Sequence, residues 1–311
     1  MKKLLTLCLC AVLIVISTAA FAGDYAGMKI AYLPKTLNNE YYVALGDALE
    51  QAAAEYGIEV VKIAPSATTL YEEQINMVEN VVQSGVNAIA IAPTDATALI
   101  DPCVAAMSAG IPVFNVDAPF TEEFWTARCG TDNYQGGYSA GEWLVELLGG
   151  RGKIAICDGY SGNAATTARY NGFKQAIADA NAEIEILGEA YGNCEQGTAM
   201  TVCENFLTAY SQLDAMFCCN DTMALGASEA VLLAGREGIV IIGFDGNPTV
   251  VQKIIDGDIT ATIAQKPATM GRTMVKQFIE YMETGANDPR IIDTGTTVVT
   301  TENAETFLTW Q

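Results

Sequence analysis

Short apolar runs recur along this chain about every 30 residues, and each is followed by a segment with helical periodicity. In the first part of the chain, the runs cover residues 29–33, 59–63, 88–92 and 112–116. Apolar residues at three- and four-residue spacing fill the intervals, at 39–56, 70–83 and 96–109. Strand–helix–strand units of this period predict a parallel β-sheet with helices on both faces.

The same pattern starts again after Thr131. Further strands are predicted at residues 153–157, 183–187, 215–219, 239–242 and 261–264. Helices are predicted at 134–148, 165–180, 196–210, 222–234, 249–256 and 269–283. We therefore expect an α/β protein with two lobes. No low-complexity linker separates the two sets of units, so hinge segments are expected to join the lobes.

The first 22 residues have the organisation of a secretory signal peptide. Lys2 and Lys3 precede an apolar run at 4–16, and Ala20-Phe21-Ala22 forms an A-x-A cleavage site. A membrane anchor is the alternative, but the run of about 13 residues is shorter than the roughly 20 that a spanning helix needs. The sequence therefore predicts cleavage after Ala22 and a periplasmic mature protein.

Composition excludes several classes of function. The chain has 37 acidic and 16 basic residues, a net charge of −21, and no basic run. A chain so acidic is repelled by nucleic acid and by anionic membrane surfaces. It contains no histidine, which removes Ser-His-Asp catalysis and every His-dependent metal site. We expect no metal, no cofactor and no nucleic acid partner.

Seven of the nine cysteines follow the predicted signal peptide, and an odd number cannot pair fully within one chain. No C-x-x-C motif is present, which disfavours zinc and thioredoxin-like chemistry. A disulfide between Cys194 and Cys203 is conceivable in an exported protein. Alternatively, most of the cysteines are small buried apolar residues, as the strand-like surroundings of Cys157, Cys218 and Cys219 indicate.

Polar and aromatic side chains follow the predicted strands, at the edge where ligands bind open parallel sheets. Such residues suit a polyol. Carboxylates accept hydrogen bonds from hydroxyl groups, amides donate and accept, arginine donates in a planar fork, and an aromatic ring can cover the C–H face of a sugar. The candidate ligand-binding residues are Asn39, Tyr41, Tyr42, Asp117, Arg169, Asn220, Asp245 and Gln265.

Several of these candidates, and the nearby Asp95 and Asp221, also have a purely structural interpretation. Asp95 and Asp221 lie between strands and helices, where N-capping is the more common role. Asp117 can belong to a turn, and Asp245-Gly246 is a common turn dipeptide. The two tyrosines can be partly buried helix residues, and Arg169 can lie on a helix surface. The candidates are informative only as a set.

As a set, these motifs resemble the ribose-binding branch of the type I periplasmic binding proteins. They occur in the order of that family and span nearly all of the chain after the predicted signal peptide. The matching stretches are 36–42 (TLNNEYY), 87–99 (NAIAIAPTDATAL), 109–117 (AGIPVFNVD), 130–137 (GTDNYQGG), 168–173 (ARYNGF), 219–227 (CNDTMALGA), 241–248 (IIGFDGNP) and 261–267 (ATIAQKP).

The resemblance implies two Rossmann-like lobes joined by three hinge crossings, near 131–132, 265–266 and 293–294. The first lobe would then comprise residues 23–131 and 266–293, and the second 132–265 and 294–311. By position in the motifs, Asn39, the two tyrosines and Asp117 match first-lobe sugar contacts. Arg169, Asn220 and Asp245 match second-lobe contacts, and Gln265 matches a contact beside the hinge.

Two positions depart from the pattern of the ribose binders. Ala118 follows Asp117 where those proteins have arginine, and their second-lobe aromatic residue aligns near Cys194, with Tyr191 as the nearest aromatic. Tyrosines also replace the phenylalanines of the first lobe. These changes disfavour ribose itself and leave another pentose, a hexose, a sugar alcohol or a cyclitol as ligands.

The resemblance also implies partners. In the family, the closed form docks on the transmembrane permease subunits of an ABC transporter, and we expect a monomer. Nucleotide binding belongs to other subunits, consistent with the absence of a G-x-x-x-x-G-K-[ST] motif here. The LacI-type regulators share the fold, but they carry a DNA-binding headpiece where this chain has a signal peptide.

Two other functions stay open. The first is a ligand-binding component of a chemotaxis or sensory system, which would use the same site. The second is an exported carbohydrate-active enzyme with Asp117 and Asp245 as an acid/base pair. The enzyme is the weaker alternative, because the two carboxylates would face each other across a moving cleft. We expect no enzymatic activity and no catalytic residue.

Overall fold

The computed structural model describes residues 25–288 and 290–310. The predicted signal peptide lies outside these residues. Strands and helices are numbered in chain order. The first of two sheets has the order β11-β5-β4-β3-β1-β2, and all its strand pairs are parallel. Its strands are β1 (Lys29–Leu33), β2 (Glu59–Lys62), β3 (Ala88–Ile91), β4 (Val113–Val116), β5 (Ala127–Gly130) and β11 (Ile291–Asp293).

The second sheet has the order β12-β10-β9-β8-β6-β7. Its strands are parallel except for β12, which pairs antiparallel with β10. They are β6 (Arg151–Asp158), β7 (Glu183–Tyr191), β8 (Ala215–Cys218), β9 (Val240–Asp245), β10 (Ala261–Ala264) and β12 (Thr297–Val299). The two sheets confirm the predicted α/β class with two lobes.

Helices cover the faces of each sheet. The first lobe carries α1 (Glu40–Ala54), α2 (Tyr71–Gln83), α3 (Ile100–Ser108) and α9 (Pro267–Thr284). The second lobe carries α4 (Asn133–Leu147), α5 (Ala164–Asp179), α6 (Gln196–Ala209), α7 (Asp221–Leu233), α8 (Pro248–Asp256) and a 3-10 turn (Ala304–Phe307). Within the described residues, none of these helices combines the length and apolar character of a membrane span.

The chain passes between the sheets at three short segments. They are residues 131–132 between β5 and α4, 265–266 between β10 and α9, and 294–296 between β11 and β12. Because each segment continues directly from the carboxyl end of a strand, the three lie beside the edge at which ligands approach parallel sheets.

Three strands and one helix start differ from the sequence prediction. β5, β11 and β12 are only three or four residues long and include charged or polar residues, so they lack the apolar pattern of the other strands. The helix predicted at 96–109 begins at Ile100. Pro102 explains the late start, because a proline is tolerated only in the first turn of a helix.

The seven cysteines of the described residues are all free, and six of them are buried. Cys157, Cys203, Cys218 and Cys219 lie in the hydrophobic core of the second lobe. The interpretation of most cysteines as small buried residues is therefore confirmed. The conceivable Cys194–Cys203 disulfide is not formed, because Cys203 packs in that core whereas Cys194 lines the cleft between the lobes.

Two glycines allow α4 and α5 to approach closely. A Cβ atom on Gly137 of α4 would overlap the carbonyl oxygen of Arg169 on α5, and one on Gly172 would overlap the carbonyl oxygen of Tyr134. Since backbone atoms cannot move aside as a flexible side chain can, this packing fixes the position of Arg169 along the cleft.

Gly137→Ala should therefore destabilise the protein, by about 1–3 kcal/mol as overpacked sites do. It should also disturb the ligand site that the sequence predicts at Arg169, because α5 must move with that residue. Chemical denaturation measures the first effect. Gly197 is a matched control, since it lies in α6 with open space around its Cα, and alanine there should be neutral or stabilising. Equal stability of the two variants would contradict the prediction.

Candidate functional site

A cavity of about 320 Å³ lies between the two lobes. Its walls come from strand ends and helix starts of both sheets, as expected for parallel sheets that face each other. All eight candidates from the sequence line it, namely Asn39, Tyr41, Tyr42, Asp117, Arg169, Asn220, Asp245 and Gln265. The structure thus brings together residues that are up to 226 positions apart, from Asn39 to Gln265.

Asp117 organises the first-lobe wall. It directly follows β4, and its φ of 64° turns the chain away from the sheet. Tyr41 Oη donates to Asp117 Oδ1 (2.9 Å), and Tyr42 Oη donates to Asp117 Oδ2 (3.0 Å). The two phenols belong to the first turn of α1 and are buried. The carboxylate is thereby held in place, with its remaining lone pairs available to hydroxyl groups.

Arg169 organises the second-lobe wall. Its Nε donates to Asn133 Oδ1 (2.8 Å), and its Nη1 donates to the carbonyl of Cys219 (2.8 Å) and to Asp245 Oδ1 (3.0 Å). The guanidinium lies 3.7 Å from the ring centroid of Phe244. Arg169 is only 4% exposed, so the interpretation as a surface helix residue is wrong. A buried ion pair is tolerable here because each charge is also hydrogen-bonded.

Gln265 joins the two walls beside the hinge. Its Nε2 donates to Asp245 Oδ1 (2.8 Å), and its Oε1 lies 3.3 Å from the hydroxyl oxygen of Tyr41. Tyr41 has one hydroxyl proton for two acceptors, Asp117 Oδ1 at 2.9 Å and Gln265 Oε1 at 3.3 Å, so a line of polar contacts links Asp117, Tyr41, Gln265 and Asp245. Polar groups held this way are preorganised for a ligand whose hydroxyls both donate and accept.

Asn39 and Asn220 act as helix caps and also line the cavity. Asn39 Oδ1 accepts from the backbone N–H of Tyr41, and Asn220 Oδ1 accepts from that of Met223. Asn39 Nδ2 also donates to Thr222 Oγ1 of the second lobe (3.2 Å). Asn39 is the N-cap of α1, and Asn220 is the N-cap of α7.

Asp221 is therefore not the N-cap that its sequence position favours. It is fully buried beneath the cavity, where it accepts from the N–H of Asn247 (2.7 Å) and from Thr262 Oγ1 (2.7 Å). These bonds hold the chain that follows Asp245, whose φ is 131°. Burial, with a contribution from Asp245, raises the pKa of Asp221 to about 7.

Sequence analysis missed several buried side chains that line the cavity, among them Lys35 and Tyr160. Lys35 Nζ donates to Asn163 Oδ1 of the opposite lobe (2.8 Å), and Tyr160 Oη donates to the carbonyl of Thr94 across the cleft (2.9 Å). Burial lowers the pKa of Lys35. Both follow strand ends closely, which is the signal that could have identified them. Their bonds across the cleft show that the lobes are closed.

The two positions that depart from the ribose binders differ in their placement. Ala118 is buried and does not line the cavity. Its carbonyl accepts from Asn115 Nδ2 (2.8 Å). Cys194 lines the cavity, whereas Tyr191 is 55% exposed and lies outside the lining. Tyr160 is therefore the second-lobe aromatic residue of this cavity.

Ligand affinity should fall in acid because of Asp245. Burial raises the pKa of Asp245 to about 6, opposed by Arg169 and assisted by Asp117. A proton on Asp245 weakens its pair with Arg169, so binding should be weaker at pH 5 than at pH 8. Calorimetric titration at pH 5 and pH 8 measures this. Asp245→Asn should flatten the profile, and equal wild-type affinities would contradict it.

The sequence of this chain matches a known protein family over most of its length. A family model described as a periplasmic binding protein domain matches residues 30–286. The ribose import binding protein of Escherichia coli (strain K12) is 33% identical over 271 residues, which cover 87% of this chain and 89% of that protein.

Solved structures agree with this match. An ABC transporter solute-binding protein from Agrobacterium vitis with bound D-fucose has a TM-score of 0.85 at 30% identity, covering 91% of this chain and 100% of that chain. One from Bacillus halodurans C-125 with bound myo-inositol has a TM-score of 0.83 at 28% identity, covering 92% and 99%.

Proposed function

This chain belongs to the family of periplasmic binding protein domains, and we propose that it is the solute-binding protein of an ABC importer. It closes on a monosaccharide or related polyol and delivers it to the membrane permease. The ligand class comprises pentoses, hexoses, sugar alcohols and cyclitols. The relatives with named ligands support this class, since they bind ribose, D-fucose and myo-inositol.

The observation that carries the proposal is the composition of the closed cavity. Carboxylates, amides, phenols and a guanidinium from both lobes line a volume of about 320 Å³. Such groups match hydroxyls, which donate and accept at once. The buried cations Lys35 and Arg169 balance the buried carboxylates of Asp117 and Asp245 on the wall. A neutral ligand rich in hydroxyls fits this lining better than an ion does.

Closure follows from the division of the site between two lobes. Asn39, the two tyrosines and Asp117 belong to one lobe, and Arg169, Asn220 and Asp245 to the other. A ligand that contacts both groups binds the closed form more tightly and shifts the equilibrium toward it. The closed surface is then the form that the permease subunits recognise.

We also propose an organisation and a location for the protein. Residues 1–22 act as a cleaved export signal, and the mature chain works in the periplasm as a monomer. The first lobe spans 23–131 and 266–293, and the second spans 132–265 and 294–311. The three segments that link the two sheets support these boundaries.

Catalysis is not part of the proposal. Both oxygens of Asp117 accept from phenols, and Asp245 is paired with Arg169 and Gln265. A carboxylate so engaged is poorly placed to transfer a proton to a glycosidic oxygen. Incubation with glycosides should leave them intact, and any hydrolysis product would contradict this part of the proposal.

Thermal unfolding of the mature protein in a panel of solutes tests the ligand class. A ligand well above its dissociation constant raises the melting temperature, with about 2.7 kcal/mol of stabilisation at a hundredfold excess. We expect stabilisation by at least one pentose, hexose, sugar alcohol or cyclitol. Stabilisation by amino acids or nucleosides, with none by any polyol, would overturn the proposal.

A further inference from the structure

A polar pair lies inside the sheet of the first lobe, away from the cavity lining. Asn115 of β4 and Arg128 of β5 are register partners on neighbouring strands and are both buried. Arg128 Nε donates to Asn115 Oδ1 (2.9 Å). The other residues of these two strands are apolar or glycine. Because burying a charge is costly unless it is paired, Arg128 needs a counter-charge in addition to the neutral amide of Asn115.

Asn115 connects this pair to the turn that carries Asp117. Its Nδ2 donates to the carbonyl of Ala118 (2.8 Å), the residue after Asp117. Contacts with β5 hold the same turn, since the N–H of Asp117 donates to the carbonyl of Cys129 (2.9 Å). A Cβ atom on Gly130 would lie 2.6 Å from the carbonyl oxygen of Asp117. The φ of 64° at Asp117 is an uncommon backbone conformation that persists only when its surroundings impose it.

The guanidinium of Arg128 also faces the carboxylates of the site and of the hinge. Burial lowers the pKa of Arg128, and among the carboxylates Asp117 opposes this shift most, followed by Asp293 and Asp132. The N–H of Asp132 donates to Asp293 Oδ1 (3.1 Å), which ties two of the segments that link the lobes. Arg128 therefore lies between the ligand carboxylate of the first lobe and two hinge segments.

Opening of the lobes changes the cations near Asp117. Arg169 belongs to the second lobe and moves away with it. Lys35 stays in the first lobe but loses its bond to Asn163 of the second. The bond from Arg128 to Asn115 lies within the first lobe, so it is kept when the lobes separate. Arg128 can therefore hold the turn of Asp117 in the open form, before the ligand arrives.

We propose that Arg128 is a positioning residue of the ligand site. Through Asn115 it holds the turn at 117–118, and its charge offsets that of Asp117 in both the open and the closed form. It acts without touching the ligand. This inference rests on the proposed function, since Asp117 is the ligand contact that Arg128 positions.

Calorimetric titration of Arg128 variants tests the proposal, with the polyol that most raises the melting temperature of the wild type. Arg128→Met removes both the donor and the charge, and the affinity should fall at least fivefold. Arg128→Lys keeps a cation that can donate to Asn115, so it should bind at least threefold more tightly than Arg128→Met. A smaller loss in Arg128→Met, or no recovery in Arg128→Lys, would overturn the proposal.

Two further variants separate positioning from a general loss of stability. Asn115→Leu cuts the link to the turn, and the affinity should again fall at least fivefold. Val78→Ala removes part of a buried side chain of α2 outside the cavity lining. It should lower the melting temperature and leave the affinity within threefold of wild type. A smaller loss in Asn115→Leu, or a fivefold loss in Val78→Ala, would contradict the role of Arg128.

Chemical denaturation measures the coupling of Arg128 to Asp117 without any ligand. Arg128→Met should lower the free energy of unfolding more in the wild-type background than in Asp117→Asn, where the counter-charge is absent. Equal decreases in the two backgrounds would overturn the proposed charge compensation. Absence of polyol binding by the wild type would contradict the proposed function, whereas wild-type binding with equal decreases contradicts only the role of Arg128.

Discussion

Asp117→Ala should abolish detectable polyol binding at concentrations that saturate the wild type, while the protein still folds. The carboxylate accepts from Tyr41 and Tyr42. Its removal leaves the buried phenol of Tyr42 without this acceptor and leaves Tyr41 with the longer contact to Gln265 Oε1. A hydrogen bond to a charged group contributes about 1.5–3 kcal/mol. Loss of two such bonds from the ligand corresponds to a decrease in affinity of roughly 100-fold or more.

The positive φ of Asp117 calls for a second variant. Alanine at a φ of 64° adds backbone strain of about 1–2 kcal/mol, which lowers stability independently of binding. Asparagine tolerates this conformation and keeps the shape of the side chain, so Asp117→Asn isolates the loss of charge and of acceptors. Asp101→Ala, an exposed residue of α3, is the control. Wild-type affinity in both Asp117 variants would remove this residue from the site.

Arg169→Met should affect both binding and stability. The guanidinium neutralises Asp245 and also bonds Asn133 and the carbonyl of Cys219. Removal of one partner from a buried ion pair destabilises by about 3–5 kcal/mol, because the other charge is left uncompensated. We expect a melting temperature lowered by several degrees or more and no measurable polyol affinity.

Two further variants make this prediction specific. Lys174→Met removes another cation from α5, but its partner Glu189 is 37% exposed, so a change below about 1 kcal/mol is expected. Arg169→Met combined with Asp245→Asn removes both charges and should recover part of the lost stability without recovering binding. The prediction is wrong if Arg169→Met and Lys174→Met have the same melting temperature.

Sequence patterns identified much of this fold and the lining of the cavity. Buried parallel strands such as Ala88–Ile91 are continuous apolar runs, and the carboxyl ends of parallel strands meet at one edge. For this reason, candidates chosen by position after strands converge on one cavity. The resemblance to known binding proteins added the prediction that the two lobes share one binding site. The periodicity of apolar residues cannot show this.

Other features depend on tertiary contacts that a pattern cannot show. The three-residue strand Ile291–Asp293 forms only because it pairs with Ala127–Gly130. Asp221 has the position of a helix cap, yet the N–H of Asn247 and the hydroxyl of Thr262 draw it into the core. Lys35 lines the cavity and bonds Asn163 of the other lobe, a contact between residues 128 positions apart.

The closed conformation also indicates how the site limits its ligands. Lys35, Asn39 and Tyr160 each bond across the cleft, so the lobes meet through fixed contacts as well as through the ligand. A ligand too large for the cavity would break these contacts and lose their contribution to closure. We therefore expect specificity to depend on the fit of the ligand to the closed volume as well as on its hydroxyls.

Calorimetric titration of one polyol into the wild type and into the Asp117→Asn, Asp245→Asn double variant tests most directly whether both lobes bind the ligand. The polyol is the member of the panel that most raises the wild-type melting temperature. We expect one ligand per wild-type chain, and no binding to a double variant that remains folded by circular dichroism. Unchanged stoichiometry and affinity in that variant would show that the ligand binds elsewhere.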